Sequence, residues 1–214
     1  MRKNILVIAA TSKEISPFLD HYRSKTIPGI DVLITGIGLT ATTYHLTRQI
    51  SLKKPALIIQ AGVAGCFDHK IPLGTVVAIK QDTIADESVI ELNKLRTIFD
   101  LKLTPQNKFP YSGGWLVNTG KAFGKLSLKK VRGITVNQIS SSKSMIGFLK
   151  EKFHPVTESM EGAALHYVCL MENIPFIQIR SISNYIGERN KKKWNMSESI
   201  INLNTGLIRL LEKL

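Results

Sequence analysis

Glu161 is the residue of this sequence most in need of a chemical explanation. It stands in Glu158-Ser-Met-Glu161-Gly-Ala-Ala-Leu165, a stretch whose helical face is mostly apolar (Met160, Ala163, Ala164, Leu165). A carboxylate among small apolar neighbours costs free energy unless it is paired or put to use. A second carboxylate, Glu14, follows the polar stretch Thr11-Ser12-Lys13. Alone, it also fits a first-turn helix acid that complements the macrodipole. Asn184 closes Arg180-Ser-Ile-Ser-Asn184, either as a ligand donor or as a cap on a strand end. Gly36-Ile-Gly38 has alanine, Ala41, at the third position of the dinucleotide fingerprint and lacks the acidic residue expected further on. A tight βα turn and a phosphate cradle both remain open there. Gly62-Val-Ala-Gly65 likewise reads as a plain turn or as a ligand contact.

Other chemistries find no support. A Ser-His-Asp hydrolase would want a Gly-x-Ser-x-Gly elbow, and the sequence has none. His21, His45, His69, His154 and His166 show no metal-ligand spacing. Cys66 and Cys169 lie far apart in apolar settings without a Cys-x-x-Cys motif, which suits buried free thiols in a reducing compartment. No metal and no cofactor is expected.

These residues need elements to carry them. Short apolar runs at Ile5–Ala10, Ile30–Thr35, Pro55–Gln60, Gly74–Ile79, 131–139 and Ile174–Ser183 read as strands, several of them buried on both faces. Helical patterns cover Ile15 to Arg23 (with Ser12 as a possible cap), Leu39 to Ser51, Ser140 to Lys152, Glu158 to Met171 and Ser197 to Lys213. Residues 82–114 form a less regular excursion, with a short helix expected over Ser88–Ile98. Strand, glycine turn and helix alternate. The expected fold is α/β: one domain over residues 1–214, with a central, largely parallel twisted sheet flanked by helices. Ligands of such sheets sit at the carboxyl ends of the strands, where Glu14, Gly38, Gly65 and Asn184 fall.

At 214 residues, 43% hydrophobic and 21% charged, the chain is neither disordered, collagenous nor built to span a membrane. Its formal net charge is +13, but the lysines are scattered and no aromatic residues interleave with them, so a nucleic-acid platform is not expected. After Met1-Arg2-Lys3-Asn4 comes a strand, without the apolar region of a signal peptide, which places the expectation in the cytoplasm.

Ile8-Ala-Ala-Thr-Ser-Lys-Glu14, Gly36-Ile-Gly38, Ala61-Gly-Val-Ala-Gly65, Glu158-Ser-Met-Glu-Gly-Ala-Ala164 and Arg180-Ser-Ile-Ser-Asn184 occur in the order of one family. The chain resembles the nucleoside phosphorylase and nucleosidase superfamily nearly end to end, least over 82–130. Ile8-Ala-Ala-Thr with Glu14, and Ser183-Asn-Tyr-Ile-Gly-Glu-Arg189 followed by Trp194, are similar to the futalosine hydrolase branch.

The resemblance implies hydrolysis of a nucleoside's N-glycosidic bond, with release of hypoxanthine from futalosine on the route to menaquinone. Adenine-releasing methylthioadenosine/adenosylhomocysteine nucleosidases and purine nucleoside phosphorylases are the alternatives. It also implies roles. Met160 packs on the ribose, beside Ser159, and Glu161 accepts ribose hydroxyls. Val63, Ala64 and Gly65 line base and ribose; Gln138 and Ile139 approach the purine. Glu14 positions or activates water. No arginine lies between Ile5 and Asp20, and Gln60 stands near where hexameric-type phosphorylases carry one, so fork-like cations for phosphate are not found. Adenine-releasing members carry aspartate at the position of Asn184; an amide cannot act as a general acid, and suits a 6-oxopurine better. The basic chain would favour futalosine's benzoate arm. A homo-oligomer, at least a dimer, is implied.

Overall fold

The computed structural model describes residues 4–25 and 28–214. Met1–Lys3, read as the lead into the first strand, lie outside them.

In chain order the elements are β1 (Ile5–Ala9), α1 (Ser16–Lys25), β2 (Ile30–Ile34), α2 (Leu39–Leu52), β3 (Leu57–Cys66), β4 (Val76–Asp82), β5 (Ser88–Glu91), β6 (Lys94–Thr97), β7 (Tyr111–Ser112) and β8 (Trp115–Val117). There follow α3 (Lys121–Gly124), β9 (Lys130–Thr135), α4 (Lys143–Phe153), β10 (Thr157–Ser159), α5 (Gly162–Met171), β11 (Phe176–Tyr185) and α6 (Met196–Glu212).

Among the described residues, all strands but the β5–β6 pair join one sheet. Pairing is parallel for β1 with β2 and β3, for β3 with β11, for β4 with β9 and for β9 with β10. It is antiparallel for β10 with β3, β11 with β4, and β8 with β4 and β7. The sheet is therefore mixed. β3, β11, β4, β9 and β10 pair in sequence back to β3 and so close a five-stranded ring.

Period-two alternation sends side chains of one strand to both faces. Val7 and Ala9 of β1 pack with Ile59, Ile177 and Ile179 against Leu203, Leu207 and Leu210 of α6 and Phe18 of α1. Leu6 and Ile8 pack with Ile58 against Leu46 and Ile50 of α2 and Leu165, Val168 and Cys169 of α5. The buried stripe of α2 is Thr42, Leu46 and Ile50, one face at i, i+4, i+8. Both cysteines are free and buried, and burial pushes the Cys169 thiol far up. No helix among the described residues is long and apolar enough to cross a membrane.

Several boundaries differ from expectation. Ser88–Ile98 is not helical: Ser88–Glu91 and Lys94–Thr97 pair as an antiparallel hairpin, with Leu92 and Asn93 in left-handed conformation at its turn. Local turn geometry there overrides the helical pattern. The strand expected over 131–139 stops at Thr135, and the helix expected from Glu158 starts at Gly162 because Thr157–Ser159 pairs with β9 and β3. Gly62–Gly65 is not a turn but the second half of β3.

Asn204 of α6 fastens the segment that carries Glu14. Its Oδ1 accepts from Phe18 N–H (3.0 Å), and its Nδ2 donates to the carbonyl of Glu14 (2.9 Å). Replacement by alanine strands two backbone groups, the buried Phe18 N–H and the part-buried Glu14 carbonyl. Asn204→Ala is expected to cost about 1–3 kcal/mol in urea unfolding, with a fall in turnover as Glu14 loses its anchor; unchanged stability would show that this tie is dispensable.

Candidate active site

Between its ends, one edge of β3 changes partner. Leu57–Gln60 pair with β1, whereas Gly65 and Cys66 pair with β10. The stretch between is open on that edge, and a cavity of about 340 Å³ forms there. That size suits a small-molecule ligand. Val63, Ala64 and Gly65 line it from β3, Thr11 and Glu14 from the segment after β1, Ser159 from the end of β10, and Met160 and Glu161 from the segment that follows. Asn184 completes the set from β11, and Ile139 reaches the rim.

Glu14 is held by backbone and hydroxyl donors. Its Oε1 accepts from Val63 N–H (3.1 Å), a group left free by the partner change of β3. Its Oε2 accepts from Thr11 N–H (3.2 Å) and Thr11 Oγ1 (3.0 Å). Thr11, not Ser12, organises this turn, and α1 begins only at Ser16.

Glu161 occupies the position just before α5 and is 5% exposed. The sequence places a carboxylate at a helix N-terminus, which the macrodipole favours. Its Oε1 accepts from Gly38 N–H (3.1 Å), and its Oε2 meets Arg180 Nη2 at 3.4 Å. Gly38, at φ 91°, turns its N–H there from a backbone conformation that glycine adopts readily.

Arg180 is the main residue that motif reading passed over. The available signal was a charge inside the otherwise buried strand Phe176–Ile182, which must find partners. The guanidinium is 1% exposed; Nη2 donates to Gln60 Oε1 (3.1 Å) as well as to Glu161, and Nη1 to the Val63 carbonyl (3.4 Å). The site thus holds a fork-like cation after all, but its contacts go to protein oxygens. A Cβ on Gly62 would lie 2.3 Å from Arg180 Nη1 and 3.1 Å from Glu14 Oε1, so the two side chains converge over that glycine.

Asn184 is not a strand-end cap. It follows a bulge in β11, where Ile182 pairs with Ala64 and Asn184, not Ser183, pairs with Gly65. The extra residue turns Asn184 to the cavity face, a recognised use of bulges. Ser183 Oγ donates to Asn184 Oδ1 (2.9 Å), and Asn184 Nδ2 donates to the Tyr185 carbonyl (3.2 Å), which fixes the amide orientation.

Gln138 is not brought to this cavity. Its side chain is exposed, its backbone N–H faces Asp86 Oδ2 (3.4 Å), and it lines a separate groove with Ser140–Ser142 because β9 ends at Thr135. Lining residues that stand in the quoted motifs but were assigned no site role include Glu158, Lys13, Arg189 and Trp194. Arg189 lies over the Trp194 ring at 5.7 Å.

Beneath Glu161 lies a further buried polar group. Asp82 accepts from Thr83 N–H (2.8 Å) and Thr135 Oγ1 (2.9 Å), and burial pushes its carboxyl up to about 7. Burial also lowers His166 to about 4, so this ring is neutral near pH 7; its Nδ1 lies 2.9 Å from the Leu116 carbonyl. Gly162 must be glycine, since a Cβ would sit 2.1 Å from Asp82 Oδ2. No cluster of potential metal ligands occurs among the described residues.

The model of one family, the phosphorylase superfamily, matches residues 4–212. The chain belongs to the phosphorylase superfamily. The futalosine hydrolase of Thermus thermophilus is 27% identical over 216 residues, covering 96% of this chain and 94% of that protein. The 5'-methylthioadenosine/S-adenosylhomocysteine nucleosidase of Maridesulfovibrio salexigens is 28% identical over 185 residues, covering 78% and 74%. In fold, the chain matches the native futalosine hydrolase of Helicobacter pylori with TM-score 0.78 at 20% identity, over 99% of this chain and 98% of that one. It matches a Helicobacter pylori nucleosidase mutant holding 5'-methylthioadenosine with TM-score 0.80 at 21% identity, over all of both chains. The family and the α/β architecture expected from the motifs are those found.

The convergence over Gly62 can be tested. Gly62→Ala is expected to displace the Arg180 guanidinium and cut kcat by about 100-fold, the scale of a misplacement near 1 Å, with the melting temperature changed by only a few degrees. Activity near wild type would mean that Arg180 can move without consequence.

Proposed function

We propose that this chain is an N-glycosyl hydrolase that cleaves futalosine to release hypoxanthine on the route to menaquinone. The observation that carries the reading is the amide of Asn184, turned into the cavity by the β11 bulge. Its Nδ2 has a hydrogen left beyond the bond to Tyr185, and can donate to N7 or to a 6-oxo group. It has no proton to give, so the leaving purine departs as an anion steadied by this hydrogen bond and takes its proton from solvent.

The remaining residues fit hydrolysis. Glu161, beside Met160 and Ser159, has lone pairs beyond those used by Gly38 and Arg180, and these accept ribose hydroxyls. Its charge stabilises an oxocarbenium-like sugar. Glu14, held by Thr11 and Val63, orients a water and takes its proton as the water oxygen bonds to C1' and the C1'–N9 bond breaks. Val63, Ala64 and Gly65 form the backbone wall along base and ribose. No cofactor enters these steps.

Water is favoured over phosphate because the contacts of Arg180 are to Glu161, Gln60 and Val63. Release of adenine is the second reading, supported by the comparable identity of the methylthioadenosine/adenosylhomocysteine nucleosidases; Asn184 weighs against it. Ile37, 62% exposed at the cavity wall, and Tyr44 on α2 offer apolar surface that a second subunit would cover in a homo-oligomer.

Chromatography of free base after incubation with futalosine in phosphate-free buffer tests the reading; absence of hypoxanthine would refute it. Glu14→Gln is expected to lower kcat by about 10²- to 10⁴-fold with the fold intact, whereas near-normal turnover would remove Glu14 as the water base. Asn184→Asp is expected to move preference toward adenine nucleosides. An unchanged ratio of hypoxanthine to adenine release would refute the role given to the amide.

A further inference from the structure

Two cations line the cavity with nothing to neutralise them. Lys13 and Arg189 are both cavity-lining and exposed. Neither joins an ion pair among the described residues. The carboxylates around them are already engaged. Glu188, next to Arg189, pairs with Lys193 at 2.9 Å. Glu198, in the first turn of α6, accepts from Asn195 Nδ2. Glu14 and Glu161 are held as described above, and Glu158 Oε1 accepts from Ser140 N–H at 3.0 Å. Two positive charges on one concave wall raise the local concentration of anions.

The fold fixes both. Arg189 sits on the loop between β11 and α6, where Gly187, at φ 90°, turns the chain. The loop closes on β11, since Asn195 N–H donates to the Ser183 carbonyl (2.8 Å). Within it, Trp194 Nε1–H donates to the Glu188 carbonyl (3.0 Å), which sets the indole under the Arg189 guanidinium. A cation–π contact attracts the guanidinium without neutralising it, and leaves its fork of donors for a carboxylate. Lys13 comes from the turn that Asn204 ties to α6: Asn204 Nδ2 donates to the carbonyls of Glu14 (2.9 Å) and Ile200 (2.6 Å). Met196 and Ile200 line the cavity from the same helix. One wall therefore combines two charges with an indole and two apolar side chains. None of these residues has a part in the steps above: Asn184 takes the base, Met160 and Glu161 the ribose, and Glu14 the water. What remains of a nucleoside is its 5' substituent.

We infer that Lys13, Arg189 and Trp194 form a subsite for an anionic aryl arm on the 5' side of the ribose. The flat apolar part of the arm packs on Trp194, Met196 and Ile200. Its carboxylate takes the Arg189 fork bidentately, with Lys13 as a second positive charge. A neutral 5' group gains the apolar contact alone. The subsite places on two residues an attraction that the net charge of +13 leaves unlocated. It rests on the reading of this cavity as a nucleosidase site.

The test measures base release from futalosine, from its methyl ester, which removes the charge of the arm, and from inosine, which has no arm, all in phosphate-free buffer. Wild type, Arg189→Met and Lys150→Met are compared. Methionine keeps an unbranched apolar stem and removes the fork. Lys150, an exposed lysine of α4, does not line the cavity, so its variant removes the same charge elsewhere. Wild type is expected to favour futalosine over the ester in kcat/KM by about 10-fold, the low end for a charged hydrogen bond because Arg189 is exposed. Added salt should shrink that preference, a comparison that stands even if a variant does not fold. Arg189→Met is expected to lose most of the preference through a raised KM for futalosine, and Lys150→Met to keep it. Equal cleavage of acid and ester by wild type overturns the subsite and leaves the nucleosidase reading in place. So does a preference that Arg189→Met keeps, or that Lys150→Met lowers equally. Base released from inosine alone overturns the subsite and futalosine as substrate, and no base from any of the three overturns hydrolysis as well.

Discussion

The site depends on one buried cation finding enough oxygen. Arg180 lies within a strand of Ile, Phe and Ser residues and is almost fully enclosed. A guanidinium so placed is tolerable only with its charge matched and most of its donors spent, and here only Nε finds no partner among the described residues. Glu161 supplies the charge, while Gln60 and the Val63 carbonyl supply further acceptors. Each of those partners belongs to an element that must then be where it is: Gln60 and Val63 on β3, Glu161 at the start of α5. Glu14 is drawn into the same cluster through Val63 N–H and the close approach over Gly62. The ion pair is best understood as the part that registers β3, β11 and α5 against one another around the cavity, with its net contribution to stability a separate matter.

Strand topology supplies the opening. An uninterrupted partner along that edge of β3 would consume the Val63 N–H and leave no crevice. Instead β1 ends at Ala9, and β10 takes over only at Gly65. On the opposite edge, β11 stays paired through Cys66 at the cost of one bulge at Ser183, and that bulge decides which face Asn184 meets. A shift of one residue reverses every side chain beyond it. The difference between a buried asparagine and a ligand-facing one therefore rests on a single irregular pair.

The sequence carried much of this, unevenly. Glu161 was legible because a carboxylate beside Met160 and Ala163 has no cheap explanation, and β1 and β3 because their apolar runs are continuous. Asn184 was legible as a residue but not as a geometry, since a bulge has no signature in Ser-Ile-Ser-Asn. Gly62–Gly65 misread as a turn for a related reason. Glycines that make room for Arg180 and Ile186 within a strand look the same in one dimension as glycines that reverse the chain. Gln138 was misplaced because the end of β9 is set by its pairing with β10 and not by its own residues. Glu158 was hidden inside the motif that drew attention to its neighbour.

The excursion between β4 and α3, opaque in sequence, has a structural purpose that follows from its contacts. Asp86, just before the β5–β6 hairpin, accepts from the backbone N–H groups of Asn137 and Gln138. Ala85 and Leu95 pack with Val136, Leu149 and Phe153. Lys152 of α4 pairs with Asp100 at 2.6 Å, a group whose carboxyl is held below its ordinary range by Lys152 and Thr97 against the opposing effect of burial. These contacts grip the segment after β9 at both ends. That segment carries Ile139 at the cavity rim and Ser140, whose N–H is the one backbone donor fixing Glu158. An irregular segment between a strand that has ended and a helix that has not begun has no ladder of its own, so its position must be imposed from outside. The excursion imposes it, and through Ser140 it sets where the Glu158 carboxylate stands at the cavity wall.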